Sequence, residues 1–167
     1  MNNCKVIKNF ISKDNRGYFY KIFNFKKLSN FNIKEIYLTS SKKNCFRGFH
    51  FQIPPMDGDK IVTCISGKVL DCVIDLRKKK NSYGKVSTYE LDSADKSLYI
   101  PKGFAHGFLS KTNNSEMLYV TNNLYSRNHD KGILYKSINF DFEKIKKLKI
   151  SDRDKKFPEI ISFKSPF

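Results

Sequence analysis

The chain has 167 residues, 40% hydrophobic and 14% aromatic, which is enough for one folded domain with its own core and too apolar for a disordered segment. No run approaches the roughly 20 apolar residues of a membrane helix, and the opening MNNCKVIKNF carries no long apolar stretch, so a soluble cytoplasmic protein is expected. The formal net charge of +16 attracts polyanions, but the lysines are scattered rather than gathered on one helix face, which argues against a dedicated nucleic-acid binder.

Against this lysine background the five arginines, Arg16, Arg47, Arg77, Arg127 and Arg153, gain interest. Lysine supplies charge equally well, whereas only arginine offers a planar fork to a carboxylate or a diphosphate. Cys4, Cys45, Cys64 and Cys72 have no CxxC spacing and read as reduced thiols.

Taken in chain order, short segments rich in Val, Ile, Tyr and Phe alternate with turn residues. They predict strands over Gly17–Phe25, Ile33–Ser40, Phe46–Gln52, Lys60–Ser66, Lys68–Leu76, Lys85–Leu91, Ser97–Ile100, Phe104–Ser110 and Glu116–Asn122. Gly67 splits ISGKVLDCVIDL into a tight hairpin, and Asn81–Gly84, Asp92–Lys96 and Asn113–Ser115 read as turns. A helical turn is expected at Lys26–Asn30 and a short helix at Phe142–Leu148. With no repeat and no linker, the pattern is that of a single all-β domain over 1–167, a jelly-roll sandwich or barrel with short C-terminal helical segments.

Two of the three histidines lie in RGFHFQIPPMDGDK and PKGFAHGF, among glycines, prolines and aromatics. Pro101, Gly103 and His106 have the spacing PxGxxH, which resembles the second motif of the cupin superfamily. Metal-binding cupins carry HxH and then a glutamate in their first motif. Here the matching place reads His50-Phe51-Gln52 followed by Ile53, Pro54, Pro55 and Met56. Two histidines rarely hold a catalytic metal without a third protein ligand. A cupin without metal or other cofactor is therefore expected.

Within that frame the chain resembles the dTDP-4-dehydrorhamnose 3,5-epimerase family from about Asp14 to Pro158. The resemblance rests on motifs in order: DNRGYF at 14–19, KKNCFRGFHFQ at 42–52, Lys60 ten residues after the motif histidine, GKVLDCVIDLR at 67–77, SYG at 82–84, IPKGFAHGF at 100–108, MLY at 117–119, LY at 124–125 and ISDRD at 150–154. It implies roles for matching residues. His50 would be the general base, Asp154 its orienting carboxylate and Tyr119 the proton donor on the opposite sugar face. Lys60 and Arg47 would stabilise oxyanion charge and hold substrate. Gln52, His106, Asp130 and Arg153 would bind substrate, and Tyr125 would stack on the nucleotide base. Arg16 and Phe19 match residues that reach the partner's site, implying a homodimer with exchanged N-terminal strands.

The implied substrate class, a nucleotide-linked 4-keto-6-deoxyhexose, fits this set. Its C4 ketone acidifies the protons at C3 and C5, so a base, a cation near the C4 oxygen and an opposed acid suffice. The implied pathway makes L-rhamnose or a related deoxysugar for surface polysaccharide. Some positions depart from the family pattern: Lys21 stands for a glutamate, Glu35 and Tyr37 for a Gln-x-Asn pair, Arg153 for a lysine and Asp130 for a glutamate, while Tyr135 and Phe142 fall at or near family tryptophans. These departures leave open a C3-only or C5-only epimerase on another nucleotide sugar. The same scaffold also admits a sugar-nucleotide ketoisomerase, or a non-catalytic cupin that binds a carbohydrate or nucleotide.

Overall fold

A computed structural model describes residues 3–23, 31–137, 142 and 145–167. Its strands are β1 (Lys5–Lys8), β2 (Phe10–Asp14), β3 (Gly17–Lys21), β4 (Glu35–Ser41), β5 (Phe46–Gln52), β6 (Lys60–Ser66), β7 (Val69–Asp75), β8 (Val86–Leu91), β9 (Lys96–Ile100), β10 (Phe104–Ser110), β11 (Ser115–Thr121) and β12 (Asp130–Gly132). Two five-stranded sheets form, in the orders β1-β9-β6-β11-β4 and β12-β5-β10-β7-β8, with β2-β3 as a separate hairpin. All pairings between these strands are antiparallel. Neighbours are mostly non-consecutive in the chain, the jelly-roll signature.

Period-2 alternation divides the side chains into layers. Val62, Val69, Val73, Leu98, Phe104, Phe108, Met117 and Tyr119 form the cluster between the sheets. Phe49, Phe51, Cys72, Ile74, Ala105 and Leu109 face the other way, onto a second cluster covered by the C-terminal residues Ile150, Ile160, Phe163 and Phe167. Strand β7 is therefore buried on both faces, and Leu70 is its one partly exposed residue. A third cluster, Phe31, Ile61, Tyr99 and Val120, lies on the outer face of the first sheet.

The predicted strand over Gly17–Phe25 ends at Lys21, and its last two residues lie outside the described part, as does the expected turn at Lys26–Asn30. The expected helix at Phe142–Leu148 falls partly outside it. Of its described part, Phe142 is 3-10 and residues 145–147 are bend and turn, with Lys147 in the left-handed conformation (φ 57°) that ends a helix. Short 3-10 turns at Tyr135–Ser137 and Asp154–Lys156 supply the C-terminal helical segments instead. All four cysteines are free thiols. Among the described residues no helix is long and apolar enough to cross a membrane.

Candidate active site

A cavity of about 730 Å³ opens between the two sheets. The first sheet lines it with Glu35, Ile36 and Tyr37 of β4, Lys60 of β6 and Thr121 of β11. The second contributes His50, Phe51 and Gln52 of β5, Phe104 of β10 and Asp130 of β12; Lys34, Lys102, Asn123 and Tyr125 come from the loops.

His50 and Asp154 are 104 residues apart in the chain, yet His50 Nε2 stands 2.9 Å from Asp154 Oδ1. The other carboxylate oxygen accepts a 3.3 Å hydrogen bond from the backbone N–H of Gly48. Burial pushes the Asp154 carboxyl up, but the hydrogen bonds and the attraction from His50, with the Gly48 N–H, outweigh it and hold the group below the usual carboxylate range. The carboxylate therefore accepts from Nε2–H, fixes that tautomer and leaves Nδ1 with the lone pair. The imidazole is about one-third exposed and the carboxylate nearly buried.

Two glycines make this approach possible. Gly48 has φ 126°, and a Cβ on it would overlap Gly107 on neighbouring β10. A Cβ on Gly132 would occupy the ring of Phe157, which packs edge-on to His50 at 5.6 Å.

Lys60 is partly buried on the cavity wall. Burial pushes its ammonium below the ordinary value of 10.5, and the charges of Asp130 and Asp71 pull it back up. Asp130 also accepts from Arg153 Nη2 at 2.6 Å, and the Arg153 guanidinium lies 5.2 Å over the Phe157 ring. Arg153 thus acts on the cavity through Asp130. Gln52 is spent on the loop opposite: its Nε2 donates to the carbonyls of Met56 and Leu124, and its Oε1 accepts from Ser126 N–H. Tyr125, 59% exposed, lies beside it, its backbone N–H donating to Glu35 Oε2 at 3.1 Å.

Other expected contacts stand back from the cavity. His106 is buried, pairs with Asp71 at 2.8 Å and does not line it. Burial pushes the Asp71 carboxyl up against the pull of His106 and Lys60, and its Oδ1 has no hydrogen-bond partner. Tyr119 is only 6% exposed and sits behind Tyr37, with His106 edge-on at 6.0 Å. Burial above all, then Tyr37 and Asp71, drives its phenol well above the ordinary value. Arg47 turns to Ser41 Oγ (2.9 Å) and the Ser40 carbonyl (3.0 Å). Arg16 pairs with Asp14 at 2.6 Å, and neither it nor the exposed Phe19 lines this chain's own cavity.

Several lining residues carry no signal in the sequence. Lys34 is indistinguishable from the other lysines, and Asn123 belongs to no motif. Lys102 and Phe104, by contrast, lie inside PKGFAHGF, so that motif carried more than its histidine.

A two-sheet jelly roll with a cavity lined from both sheets, and a histidine–carboxylate pair on its wall, is a cupin-class enzyme built for proton transfer. The model of the dTDP-4-dehydrorhamnose 3,5-epimerase family matches residues 1–161. The enzyme of that name from Shigella flexneri is 36% identical over 149 residues, 84% of this chain and 82% of its own. The one from Escherichia coli K12 is 36% identical over 151 residues, covering 86% and 82%. The crystal structure of the Sulfolobus tokodaii enzyme superposes with a TM-score of 0.88 at 33% identity, covering 97% of this chain and 93% of that one. The Bacillus anthracis enzyme, solved with TDP and PPi bound, gives 0.87 at 28% identity, covering 93% of each. The chain belongs to the dTDP-4-dehydrorhamnose 3,5-epimerase family and is an isomerase of the epimerase type.

Proposed function

We propose that this chain inverts C3 and C5 of dTDP-4-keto-6-deoxyglucose through enolate intermediates, with its residues in the following roles. Nδ1 of His50 takes the proton from the carbon next to the ketone, and the Asp154 carboxylate stabilises the resulting imidazolium. The Lys60 ammonium faces the developing C4 oxyanion in a partly dewatered cavity, where such a cation contributes most. Tyr119 returns a proton to C5 from the other face, while water entering the cavity reprotonates C3. Tyr125 stacks on the base, while Lys34 and Lys102 face the diphosphate. The observation that carries this reading is the 2.9 Å pair of His50 and Asp154 at a cavity that Lys60 lines from the facing sheet.

The reading includes a homodimer that exchanges N-terminal strands, so that Arg16 and Phe19 serve the partner's cavity. Supporting it, the β2-β3 hairpin stands outside both sheets and exposes Phe10, Ile11, Tyr18 and Phe19, and edge strand β4 exposes Ile36 and Leu38. Four free thiols accord with a reducing cytoplasm.

Incubation with dTDP-4-keto-6-deoxyglucose in deuterated buffer, followed by NMR, tests the chemistry. Deuterium at C3 and C5, lost in His50→Asn, is expected. No exchange, with dTDP bound no better than UDP, CDP or GDP, would refute the substrate.

A further inference from the structure

Strands β4 and β11 are hydrogen-bonded neighbours although distant in the chain, and their register sets Tyr37 directly opposite Tyr119. Both side chains point to the same side of the sheet. Their rings stack face to face, 4.6 Å between centroids and 8° from parallel. Tyr37 lines the cavity and Tyr119 does not. Tyr119 is closed in on its other side by the edge of His106, itself fixed by Asp71. Tyr37 is 42% exposed against 6% for Tyr119, so the phenol a bound sugar meets on this wall is that of Tyr37.

We propose that Tyr37 is a specificity-determining residue whose ring screens the Tyr119 hydroxyl from the cavity and so holds inversion at C5 below exchange at C3. This rests on the proposed epimerase chemistry. Exchange at C3 needs the base and a proton from water entering the cavity. Inversion at C5 needs an acid fixed on the face opposite His50, and in that chemistry the acid is Tyr119. A screen in front of Tyr119 therefore bears on one carbon and spares the other. It acts through ring area, not through a hydroxyl. That property separates it from a second possibility, in which Tyr37 itself donates the proton.

The ratio of C5 inversion to C3 exchange, read by NMR in deuterated buffer, is compared in the unmodified protein, Tyr37→Phe and Tyr37→Ala. The proposal expects the ratio to rise severalfold in Tyr37→Ala and to stay at its original value in Tyr37→Phe, which keeps the ring. Loss of C5 inversion in Tyr37→Phe would make the Tyr37 hydroxyl the acid and overturn the screen, as would an unchanged ratio in Tyr37→Ala. A readout independent of turnover accompanies it: nitration by tetranitromethane, with sites quantified by peptide mass spectrometry and the exposed Tyr18 and Tyr125 as internal references. Tyr119 should be protected in the unmodified protein and in Tyr37→Phe, and modified in Tyr37→Ala. Equal nitration of Tyr119 in all three overturns the proposal even if no sugar exchanges. Absence of exchange alongside the expected nitration pattern would instead count against the substrate assignment.

Discussion

His50 and His106 are direct cross-strand partners on β5 and β10, yet each is paired to a different aspartate. His50 meets Asp154 from the C-terminal 3-10 turn and reaches the cavity. His106 meets Asp71 of β7 between the sheets and is only 4% exposed. One histidine–carboxylate pair is thus available to a ligand, and the other is part of the packing around Tyr119.

The buried pair should reveal itself in stability. Removing His106 alone leaves the buried Asp71 carboxyl without a hydrogen-bond partner on either oxygen. His106→Leu is expected to destabilise the fold by about 3–5 kcal/mol, whereas the double variant His106→Leu/Asp71→Leu recovers most of that loss. Urea unfolding of the two single variants and the double variant closes the cycle. Additive losses would show that the two side chains are not coupled.

Asp154 makes a prediction about acid stability. Its folded pKa lies below the ordinary 3.8, so the unfolded chain binds the proton more readily. The stabilisation is therefore complete above the unfolded pKa and disappears as pH falls through the folded one. Thermal unfolding across acid pH should show a steeper decline in the unmodified protein than in Asp154→Asn. The same variant should lose about 10²–10⁴-fold in deuterium exchange, since its imidazole is neither held in the right tautomer nor stabilised as a cation. Parallel acid profiles for the two proteins would contradict the assignment of the depressed pKa.

Lys60 carries a prediction on the alkaline side. Lys60→Met should lower kcat by about 10²–10³-fold, the scale of one lost oxyanion contact. Because burial depresses the ammonium pKa, activity that depends on its charge should fall, as pH rises, earlier than an unperturbed lysine's 10.5 would dictate. Lys60→Arg should move that limb upward, since a guanidinium keeps its proton. Should the limb stay put in Lys60→Arg, another group is titrating.

Much of the scaffold was legible because its signals are local. Phe46–Gln52, Lys60–Ser66 and Phe104–Ser110 begin and end where the alternation and the flanking Gly, Pro and turn residues place them. Strand β12, Asp-Lys-Gly, has no β-forming residue, and pairing with Gln52–His50 imposes its extension. Strand β1 is four residues long, too short for a period to register. The His50–Asp154 pair could be anticipated from motif order, because each member has its own flanking signature. The Tyr37–Tyr119 stack could not: Tyr37 showed only as a departure from the family pattern, and its effect depends on the register of two strands distant in the chain.

Glu35 is a second departure that reaches the cavity. A carboxylate there repels a diphosphate, while its Oε2 ties down Tyr125 N–H. Glu35→Gln keeps a carbonyl oxygen for that bond and removes the charge. It should tighten dTDP binding by about 2–5-fold at low salt, with the gain shrinking as salt screens it. Calorimetric titration at two ionic strengths measures this. A salt-independent gain would point to altered loop packing rather than charge.

The proposed exchanged-strand dimer yields a test by complementation. Arg16→Ala and His50→Asn should each be poorly active alone. Refolded together, half the dimers are mixed, and in each of these one cavity has an intact His50 from its own chain and an intact Arg16 from the other. Activity should then approach about a quarter of the unmodified level. Arg16 is exposed on a hairpin outside both sheets, so its substitution leaves the core untouched and the deficit can be ascribed to the cavity it serves. If Arg16 acted within its own chain, mixing would give no more than the average of the two variants. Light scattering on the same mixtures separates that result from a failure to dimerise at all.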